Sequence, residues 1–139
     1  AMAQKYYLDA CIWRDYFENR SDKFRPLGDW AFRLISKIVK ENDLFVFSDK
    51  LTNELETQYS PEELNKLFSI IPENQIIRLE TNELQAKEAF ELKTKLNIPF
   101  GDALHAIHAR DSNSILVSRD KHFYELTEHI ILKKPEDLI

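Results

Sequence analysis

Four carboxylates lie where a parallel β-sheet would bring them to one edge. Asp9 directly follows the apolar run KYYL, and Asp120 stands in SRD just after the apolar run ILV. Glu54 lies in the first turns of a helical segment that follows LFVF, and Asp102 begins the segment DALHAIHAR. Because ligand sites of open parallel sheets lie beyond the carboxyl ends of the strands, we expect these side chains to share one cleft.

Such a cluster has a recognisable chemistry. A carboxylate at the end of a buried strand is costly unless a cation or a hydrogen-bonding partner replaces its lost hydration. Several carboxylates close together also repel one another and raise each other's pKa values. Ligation by oxygen alone suits Mg²⁺ or Mn²⁺ better than zinc. The cluster therefore favours phosphodiester hydrolysis, in which bound cations lower the pKa of the attacking water and stabilise charge on the phosphate.

Taken singly, these carboxylates also have structural interpretations. Asp102 could be a helix N-cap, since aspartate is among the favoured capping residues. Asp120 could cap the helical segment KHFYEL, where a negative charge meets the positive end of the helix dipole. Glu54 lies between Leu51 and Leu55 and could be an ordinary surface residue at the border of a packed face. The set of four, rather than any one member, favours a metal site.

The elements that must position these residues are short apolar runs alternating with helical segments. The runs lack strict alternation, which is typical of strands covered on both faces. They are KYYL (5–8), LFVF (44–47), QIIRL (75–79), ILV (115–117) and HIIL (129–132). Between them, apolar residues recur at helical spacing, as at Trp30, Leu34 and Ile38. The alternation predicts an α/β fold, a three-layer α/β/α sandwich with a central parallel sheet of four to five strands.

Capping residues and prolines predict where the helices begin and end. Ser48 is suited to cap the helix after the second strand, and Ser60, followed by proline, opens another helix. Thr81 is expected to open the long helix that the turn-like segment NIPFG (97–101) ends. The segment 19–29 has the most loop-like composition of the chain.

Length and composition favour a single domain over residues 1–139. With 43% hydrophobic and 31% charged residues, the chain can bury one core and lacks the composition of a disordered protein. Residues 1–3 resemble the remnant of an expression tag, so they are set aside. No apolar run reaches the roughly 20 residues of a membrane span, and no secretory signal is recognisable at the start. We therefore expect a cytoplasmic protein without membrane contact.

Charge and cysteine content exclude some site classes. The formal net charge of −5 does not indicate a basic nucleic-acid footprint, although a pocket of cation-binding acids itself lowers the charge of the bare chain. The single Cys11 cannot form an internal disulfide, and a small buried residue is a better interpretation of it than a nucleophile. Neither Gly28 nor Gly101 belongs to a glycine-rich phosphate loop.

Histidine and aromatic residues offer further candidates. His105 and His108 stand three residues apart, but no third neutral ligand with zinc-like spacing accompanies them. Their alanine-rich segment favours close helix packing, with a histidine near a substrate phosphate as the remaining alternative. Trp13, Tyr16 and Phe17 could stack on nucleic-acid bases, yet their helical spacing is more typical of a core or a dimer surface.

Four blocks of the sequence together resemble the PIN-domain ribonucleases, particularly the small single-domain VapC-type toxins. The blocks are YYLDACIW, SDKLTNELE, PFGDALHAIHAR and LVSRDKHFYEL, and they follow one another in the family order. The resemblance extends from Tyr6 to about Leu132. It implies an acidic quartet that is both catalytic and metal-binding, made of Asp9, Glu54, Asp102 and Asp120. It further implies that Ser118 supports Asp120 or a metal-bound water.

The same resemblance implies a metal-dependent endoribonuclease with an RNA substrate and Mg²⁺ or Mn²⁺ as cofactor. It also implies a homodimer and a VapB-type antitoxin partner whose C-terminal segment blocks the acidic groove. Ala10 and Cys11 depart from the family, which often has a hydroxyl or amide residue there. This departure motivates a second hypothesis, a catalytically silent PIN-fold module that binds RNA or protein. A third, a receiver-like signalling domain, lacks the paired acids at the first strand and a suitable late lysine.

Overall fold

The computed structural model describes residues 3–139, with a five-stranded, fully parallel sheet at the centre. The strands are β1 (Lys5–Leu8), β2 (Leu44–Ser48), β3 (Ile76–Leu79), β4 (Ile115–Val117) and β5 (Ile131–Lys133). Their order across the sheet is β3-β2-β1-β4-β5. The predicted parallel sheet of four to five strands is confirmed. Residues 1 and 2, which belong to the segment interpreted as a tag remnant, lie outside the described residues.

Six α-helices connect and cover the strands within residues 3–139. They are α1 (Ala10–Glu18), α2 (Leu27–Lys40), α3 (Asp49–Gln58), α4 (Pro61–Leu67), α5 (Glu83–Leu96) and α6 (Phe100–Asp111). Short 3₁₀ helices lie at Phe68–Ile70, Glu73–Gln75, Lys121–Leu126 and Pro135–Asp137. None of the helices in this part of the chain combines the length and the apolarity needed to cross a membrane.

Helices cover both faces of the sheet because successive strand side chains point to opposite faces. On one face, Trp13 of α1 stacks on Phe47 of β2 with ring centroids 5.2 Å apart. Ser48, the next residue of β2, points to the other face and contacts the Tyr7 hydroxyl of β1. There the Tyr7 ring packs edge-on against His105 of α6, with centroids 5.6 Å apart. The predicted three-layer α/β/α architecture is confirmed.

The topology opens a crevice at the carboxyl ends of β1 and β4. These strands are neighbours, but the chain leads from β1 towards β2 on one side and from β4 towards β5 on the other. Loops that leave in opposite directions create a crevice of the kind that binds ligands in open α/β sheets. Asp9 follows β1, Asp120 follows β4, and the Asp9 N–H donates to the Val117 carbonyl at 3.0 Å. We refer to this region as the strand-end crevice.

Three of the predicted helix boundaries are confirmed. Ser48 caps α3, its Oγ accepting from the Leu51 N–H at 3.1 Å. Ser60 caps α4 in a capping box, in which its side chain and that of Glu63 each accept from the other's backbone N–H. The long helix α5 ends in the predicted turn, where Asn97 adopts a left-handed conformation with φ of 55°. Asparagine tolerates this conformation better than most residues.

Two predicted helix starts are wrong. Asn82, not Thr81, caps α5, because the Thr81 hydroxyl instead donates to Asp49 Oδ1 at 2.6 Å. Helix α6 begins at Phe100, which places Asp102 in the first turn rather than at the N-cap. The interpretation of Asp102 as a capping residue is therefore also wrong. Its side chain has to be explained by the crevice that it borders.

Three other boundaries shift by a few residues. Strand β3 begins at Ile76 because Gln75 ends a 3₁₀ helix. Strand β5 covers Ile131–Lys133 and so begins and ends later than the apolar run. Helix α2 begins at Leu27, inside the segment 19–29 that has a loop-like composition. The element types remain as predicted, while their ends depend on local contacts.

Candidate metal centre

Asp9 simultaneously follows β1 and caps α1, which places its carboxylate in the strand-end crevice. Oδ1 accepts from the Ala10 N–H at 2.7 Å. Oδ2 accepts from Ser118 Oγ at 2.8 Å and from the Cys11 thiol at 3.3 Å. The residue is only 7% exposed. These donors hold the carboxylate in one orientation at a place where little water can solvate it.

Glu54 approaches Asp9 from α3. Its Oε1 accepts from His105 Nε2 at 2.9 Å and lies 3.9 Å from Lys50 Nζ. Burial alone would raise the pKa of Glu54, but the hydrogen bond and charge of His105, with a smaller contribution from Lys50, lower it below the ordinary value. Ligand atoms of Asp9, Glu54 and His105 all lie within 4.8 Å of one another. We call these three residues the inner triad.

His105 is the histidine of the inner triad, and its acidic neighbours raise the pKa of its imidazole. Its side chain is 1% exposed, and burial by itself would lower the pKa of the imidazole. The hydrogen bond to Glu54 and the charges of Asp9, Glu54 and Asp102 outweigh burial and raise that pKa. The imidazole therefore holds its proton more tightly than an ordinary histidine does.

An outer triad is formed by Asp102, Asp120 and His122. His122 Nδ1 lies 2.9 Å from Asp102 Oδ2 and 3.0 Å from Asp120 Oδ1. The ligand atoms of the three residues lie within 4.8 Å of one another. Asp120 Oδ1 also accepts from the His122 N–H at 2.9 Å and so caps the 3₁₀ helix Lys121–Leu126. The capping interpretation of Asp120 is thus correct, and the same carboxylate borders the crevice.

In the outer triad, the surroundings of Asp102 disfavour its negative charge. Burial, followed by the charge and hydrogen bond of Asp120 and the charge of Asp9, raises the pKa of Asp102 from 3.8 to about 6. Its Oδ2 is buried, and the nearby His122 Nδ1 is not directed at it as a hydrogen-bond donor. A divalent cation would relieve both the repulsion and the missing contact. Carboxylate oxygens supply most of the donors, which suits Mg²⁺ or Mn²⁺.

Ser118 connects the two triads. Its Oγ donates to Asp9 Oδ2 at 2.8 Å and accepts from the Asp120 N–H at 3.0 Å. The charge of Asp9 also acts on Asp102, since it contributes to the raised pKa there. The structure therefore brings the four carboxylates singled out from the sequence, together with Ser118, to one crevice. It divides them into one pair beside the buried His105 and another pair beside the exposed His122.

Sequence reasoning missed His122 and favoured a packing role for His105. It treated His105 and His108 together, with packing preferred to a place near a substrate phosphate, but only His105 of the two contacts the acids of the crevice. His108 instead lies 2.8 Å from Thr81 Oγ1 through its Nε2. The available signals were the spacings from two carboxylates. His105 follows Asp102 by one helical turn, and His122 follows Asp120 by two residues.

The remaining candidates have structural explanations. The Cys11 thiol has a raised pKa because of burial and then the charge of Asp9, so it is a poor nucleophile. Trp13 is 1% exposed and belongs to the core, so the hypothesis that it stacks on bases is wrong. Tyr16 and Phe17 are partly buried against the same core. A groove of about 730 Å³ near Tyr59 is lined by none of the triad residues.

The profile of the PIN domain family matches residues 6–128. The chain belongs to the PIN domain family. All residues of both triads lie inside the matched segment of this PIN domain. Membership in the family excludes the receiver-like interpretation, and it agrees with the five-stranded parallel sheet and the crevice at its strand ends.

Solved structures of toxin–antitoxin proteins share the fold of this PIN domain. VapBC2 from Rickettsia felis, bound to a DNA fragment from its promoter, is 20% identical with a TM-score of 0.67, covering 94% of this chain and 98% of that chain. VapBC-1 from nontypeable Haemophilus influenzae is 19% identical with a TM-score of 0.63, covering 96% and 99%. VapC20 from Mycobacterium tuberculosis, a sarcin-ricin loop cleaving toxin, is 13% identical with a TM-score of 0.64, covering 87% and 94%. The TM-scores show that these proteins share the fold of this chain, and at such low sequence identities the similarity shows the fold alone. A sequence comparison with curated proteins finds no match.

Proposed function

We propose that this PIN domain is a Mg²⁺- or Mn²⁺-dependent endoribonuclease that hydrolyses RNA phosphodiester bonds. The observation that carries the proposal is the convergence of four carboxylates in one crevice, where burial and neighbouring charge raise the pKa of Asp102 to about 6. The negative charge of Asp102 in such a place destabilises the folded chain unless a cation neutralises it. A function that uses the cations explains why the acids are there.

The chain's own residues would have distinct roles in this reaction. Asp9, Glu54, Asp102 and Asp120 would hold the cations. Bound divalent cations supply charge neutralisation and a lowered pKa for the attacking water. Ser118 Oγ bonds both the Asp9 carboxylate and the Asp120 backbone N–H, and so fixes the position of one relative to the other. The side chain of His122 is 50% exposed, so it can turn away from Asp102 and Asp120 when a cation binds there.

The contact made by Cys11 favours the enzyme over a catalytically silent binding module. The silent alternative was motivated by Ala10 and Cys11, which replace hydroxyl or amide residues of the family. The Cys11 thiol donates to Asp9 Oδ2 at 3.3 Å, so a hydrogen bond to the first carboxylate is kept. A thiol is a weak donor, and the Ser118 hydroxyl at 2.8 Å supplies the stronger contact.

The proposal extends to a toxin that pairs with a VapB-type antitoxin and forms a homodimer. Its support is the fold shared with VapBC2, VapBC-1 and a toxin–antitoxin complex from Klebsiella pneumoniae, which is 14% identical with a TM-score of 0.62. An antitoxin encoded beside this chain should co-purify with it and inhibit RNA cleavage. A dimer should appear in sedimentation analysis. An active monomer with which no inhibitor co-purifies would instead indicate a solitary RNA-processing enzyme.

The test is cleavage of a mixed RNA pool with Mg²⁺ or Mn²⁺ and with a chelator. We expect cleavage only with the cation, and a loss on the order of 100-fold in Asp9→Asn and Asp102→Asn. Asp29→Asn is the matched control, because Asp29 is exposed on α2 and pairs with Arg33. Cleavage that persists in chelator, or that is unchanged in the two crevice variants, would contradict the proposal.

A further inference from the structure

A buried chain of hydrogen bonds runs through the core to Glu54. The Tyr7 hydroxyl lies 2.5 Å from Ser48 Oγ and 2.6 Å from His105 Nδ1. On the other side of the same imidazole, Nε2 lies 2.9 Å from Glu54 Oε1. Tyr7, Ser48 and His105 are each at most 1% exposed. The chain joins β1, β2, α6 and α3, and it ends at a carboxylate of the inner triad.

The direction of these hydrogen bonds fixes the imidazole. An ionised Glu54 can only accept, so Nε2 of His105 must donate to it. Nδ1 is then left to the Tyr7 hydroxyl, which can donate to a bare nitrogen or accept from a protonated one. The ring of His105 is therefore held at both nitrogens in either protonation state. Edge-on packing of the Tyr7 ring restricts it further.

Stability alone does not explain this polar chain. Replacing a buried hydrogen-bonded pair by apolar groups of similar shape is often nearly neutral for folding. His108 on the same helix shows the other use of a buried histidine, since it bonds Thr81 and lies 3.8 Å from Asp49, away from the triads. The chain through Tyr7 differs because its last member is a residue of the candidate metal centre.

Glu54 is left with one engaged oxygen and one free oxygen. Oε1 accepts from His105, whereas Oε2 has no hydrogen bond to any described residue. Both nitrogens of His105 are already engaged, which argues against the imidazole as a cation ligand. Oriented carboxylates bind metals better because their own hydrogen bonds fix the ligand atom in advance.

We propose that Tyr7 and His105 are positioning residues, which hold Glu54 by Oε1 and leave Oε2 to bind the divalent cation beside Asp9. This inference rests on the proposed nuclease function. It assigns neither Tyr7 nor His105 a contact with substrate. In this proposal, buried residues of the core raise the cation affinity of the crevice by orienting Glu54.

The first test is Mn²⁺ binding, measured by electron paramagnetic resonance titration of the free ion. We expect Tyr7→Phe to weaken binding about tenfold. Tyr6→Phe is the matched control, because the neighbouring Tyr6 lies outside the hydrogen-bonded chain. His105→Leu should weaken Mn²⁺ binding more than Tyr7→Phe does. His105→Gln should bind Mn²⁺ more tightly than His105→Leu, because the glutamine amide can donate a hydrogen bond to Glu54. Wild-type affinity in folded Tyr7→Phe, or equal losses in the two His105 variants, would overturn the proposal.

The second test asks whether His105 touches the ion. Electron spin echo spectra of bound Mn²⁺ detect directly coordinated nitrogen. Because His105 does not bind the ion in this proposal, we expect the spectra of the wild type and of His105→Gln to be the same. A signal that disappears in this variant would make His105 a ligand and would overturn the positioning role. Circular dichroism and thermal unfolding establish that each variant is folded, and His108→Leu controls for loss of a buried imidazole on α6.

Kinetics separate this inference from the proposed function. In Tyr7→Phe we expect a lower kcat and a higher Mn²⁺ requirement, with the KM for RNA unchanged. A wild type that binds Mn²⁺ with the expected pattern of variants but cleaves no RNA would overturn the nuclease and support the positioning role. A wild type that cleaves RNA while Tyr7→Phe matches it in rate and in Mn²⁺ requirement would overturn the positioning role alone.

Discussion

Asp102 is the carboxylate whose surroundings disfavour its charge. Burial and the neighbouring Asp120 and Asp9 raise its pKa from 3.8 to about 6. A folded-state pKa above the unfolded value means that the native chain binds the proton more tightly. The stabilisation from this proton is complete below the unfolded pKa and is lost as the pH rises from about 4 to about 6.

Asp102→Asn should therefore stabilise the cation-free protein at neutral pH, although it lowers the rate of RNA cleavage on the order of 100-fold. The neutral amide removes the disfavoured charge, and the gain is on the order of 2 kcal/mol at pH 7. It should fall towards zero near pH 4, where Asp102 is protonated in the folded wild type. Thermal unfolding in chelator between pH 4 and 8 measures this difference. A wild type that is more stable than the variant at pH 7 would contradict it, and Asp29→Asn should show no such trend.

Single residues differ in how far the sequence predicts their surroundings. Asp9 directly follows strand β1, and Asp120 comes three residues after the end of strand β4. Their placement at the carboxyl edge of the sheet is therefore predictable from the strand pattern alone. The partner of His105 depends on how α6 is rotated against α3. That rotation is set by tertiary packing, and the contact joins Glu54 to a residue 51 positions away. No local pattern contains this information.

Two glycines mark places where elements approach closely. A Cβ at Gly28 would lie 2.6 Å from Asn19 Cα, so the start of α2 touches backbone at the end of α1. A Cβ at Gly101 would lie 3.0 Å from Lys50 Cε and 3.3 Å from Glu54 Oε1, so the start of α6 touches side chains of α3. A Cβ at Gly28 can be accommodated only if backbone moves, whereas a Cβ at Gly101 can be accommodated by movement of the Lys50 and Glu54 side chains.

We expect Gly28→Ala to affect mainly stability and Gly101→Ala to affect mainly Mn²⁺ binding. Gly28→Ala should lower the free energy of unfolding by about 2 kcal/mol, because two helix ends must separate. Gly101→Ala should leave stability nearly unchanged, since alanine favours the helix, but should weaken Mn²⁺ binding several-fold by displacing Glu54. Urea unfolding and Mn²⁺ titration measure the two effects. A strongly destabilised Gly101→Ala with wild-type Mn²⁺ affinity would contradict this account.

At the scale of elements, hydrophobic periodicity predicts types and side-chain hydrogen bonds decide ends. The Ser60 capping box is readable from the sequence because all its partners lie within three residues. The start of α5 is not, because Thr81 bonds Asp49, which is 32 residues away. Such long-range contacts move a helix start by a residue or more without changing the element.

At the scale of the whole molecule, we propose that the chain folds as one unit. Buried residues from every strand except the edge strands β3 and β5, and from each of the six α-helices, join one continuous core on both faces of the sheet. We expect a single cooperative unfolding transition, and an increase in Tm with Mn²⁺ because the cation binds only the folded crevice. At a hundredfold excess over Kd the gain is about 2.7 kcal/mol. Two transitions, or an equal shift in Asp9→Asn, would contradict this expectation.

The layers of the fold are predictable from the sequence, but the strand order is not. Alternating strands and helices require a parallel sheet with helices on both faces. The order β3-β2-β1-β4-β5 depends on the side of β1 to which each later strand is added. This order places β1 beside β4, and thereby brings Asp9 next to Ser118 and Asp120.

The chemistry of the RNA ends tests most directly whether the strand-end crevice hydrolyses RNA with the help of cations. A short RNA is cleaved by the wild type with Mn²⁺, and the new ends are identified by mass spectrometry beside a chelator reaction and Asp9→Asn. Because water rather than the neighbouring 2′-hydroxyl attacks the phosphorus, we expect products without a 2′,3′-cyclic phosphate, formed only by the wild type with the cation. Cyclic phosphate ends, or the same cleavage in chelator or in Asp9→Asn, would contradict the account.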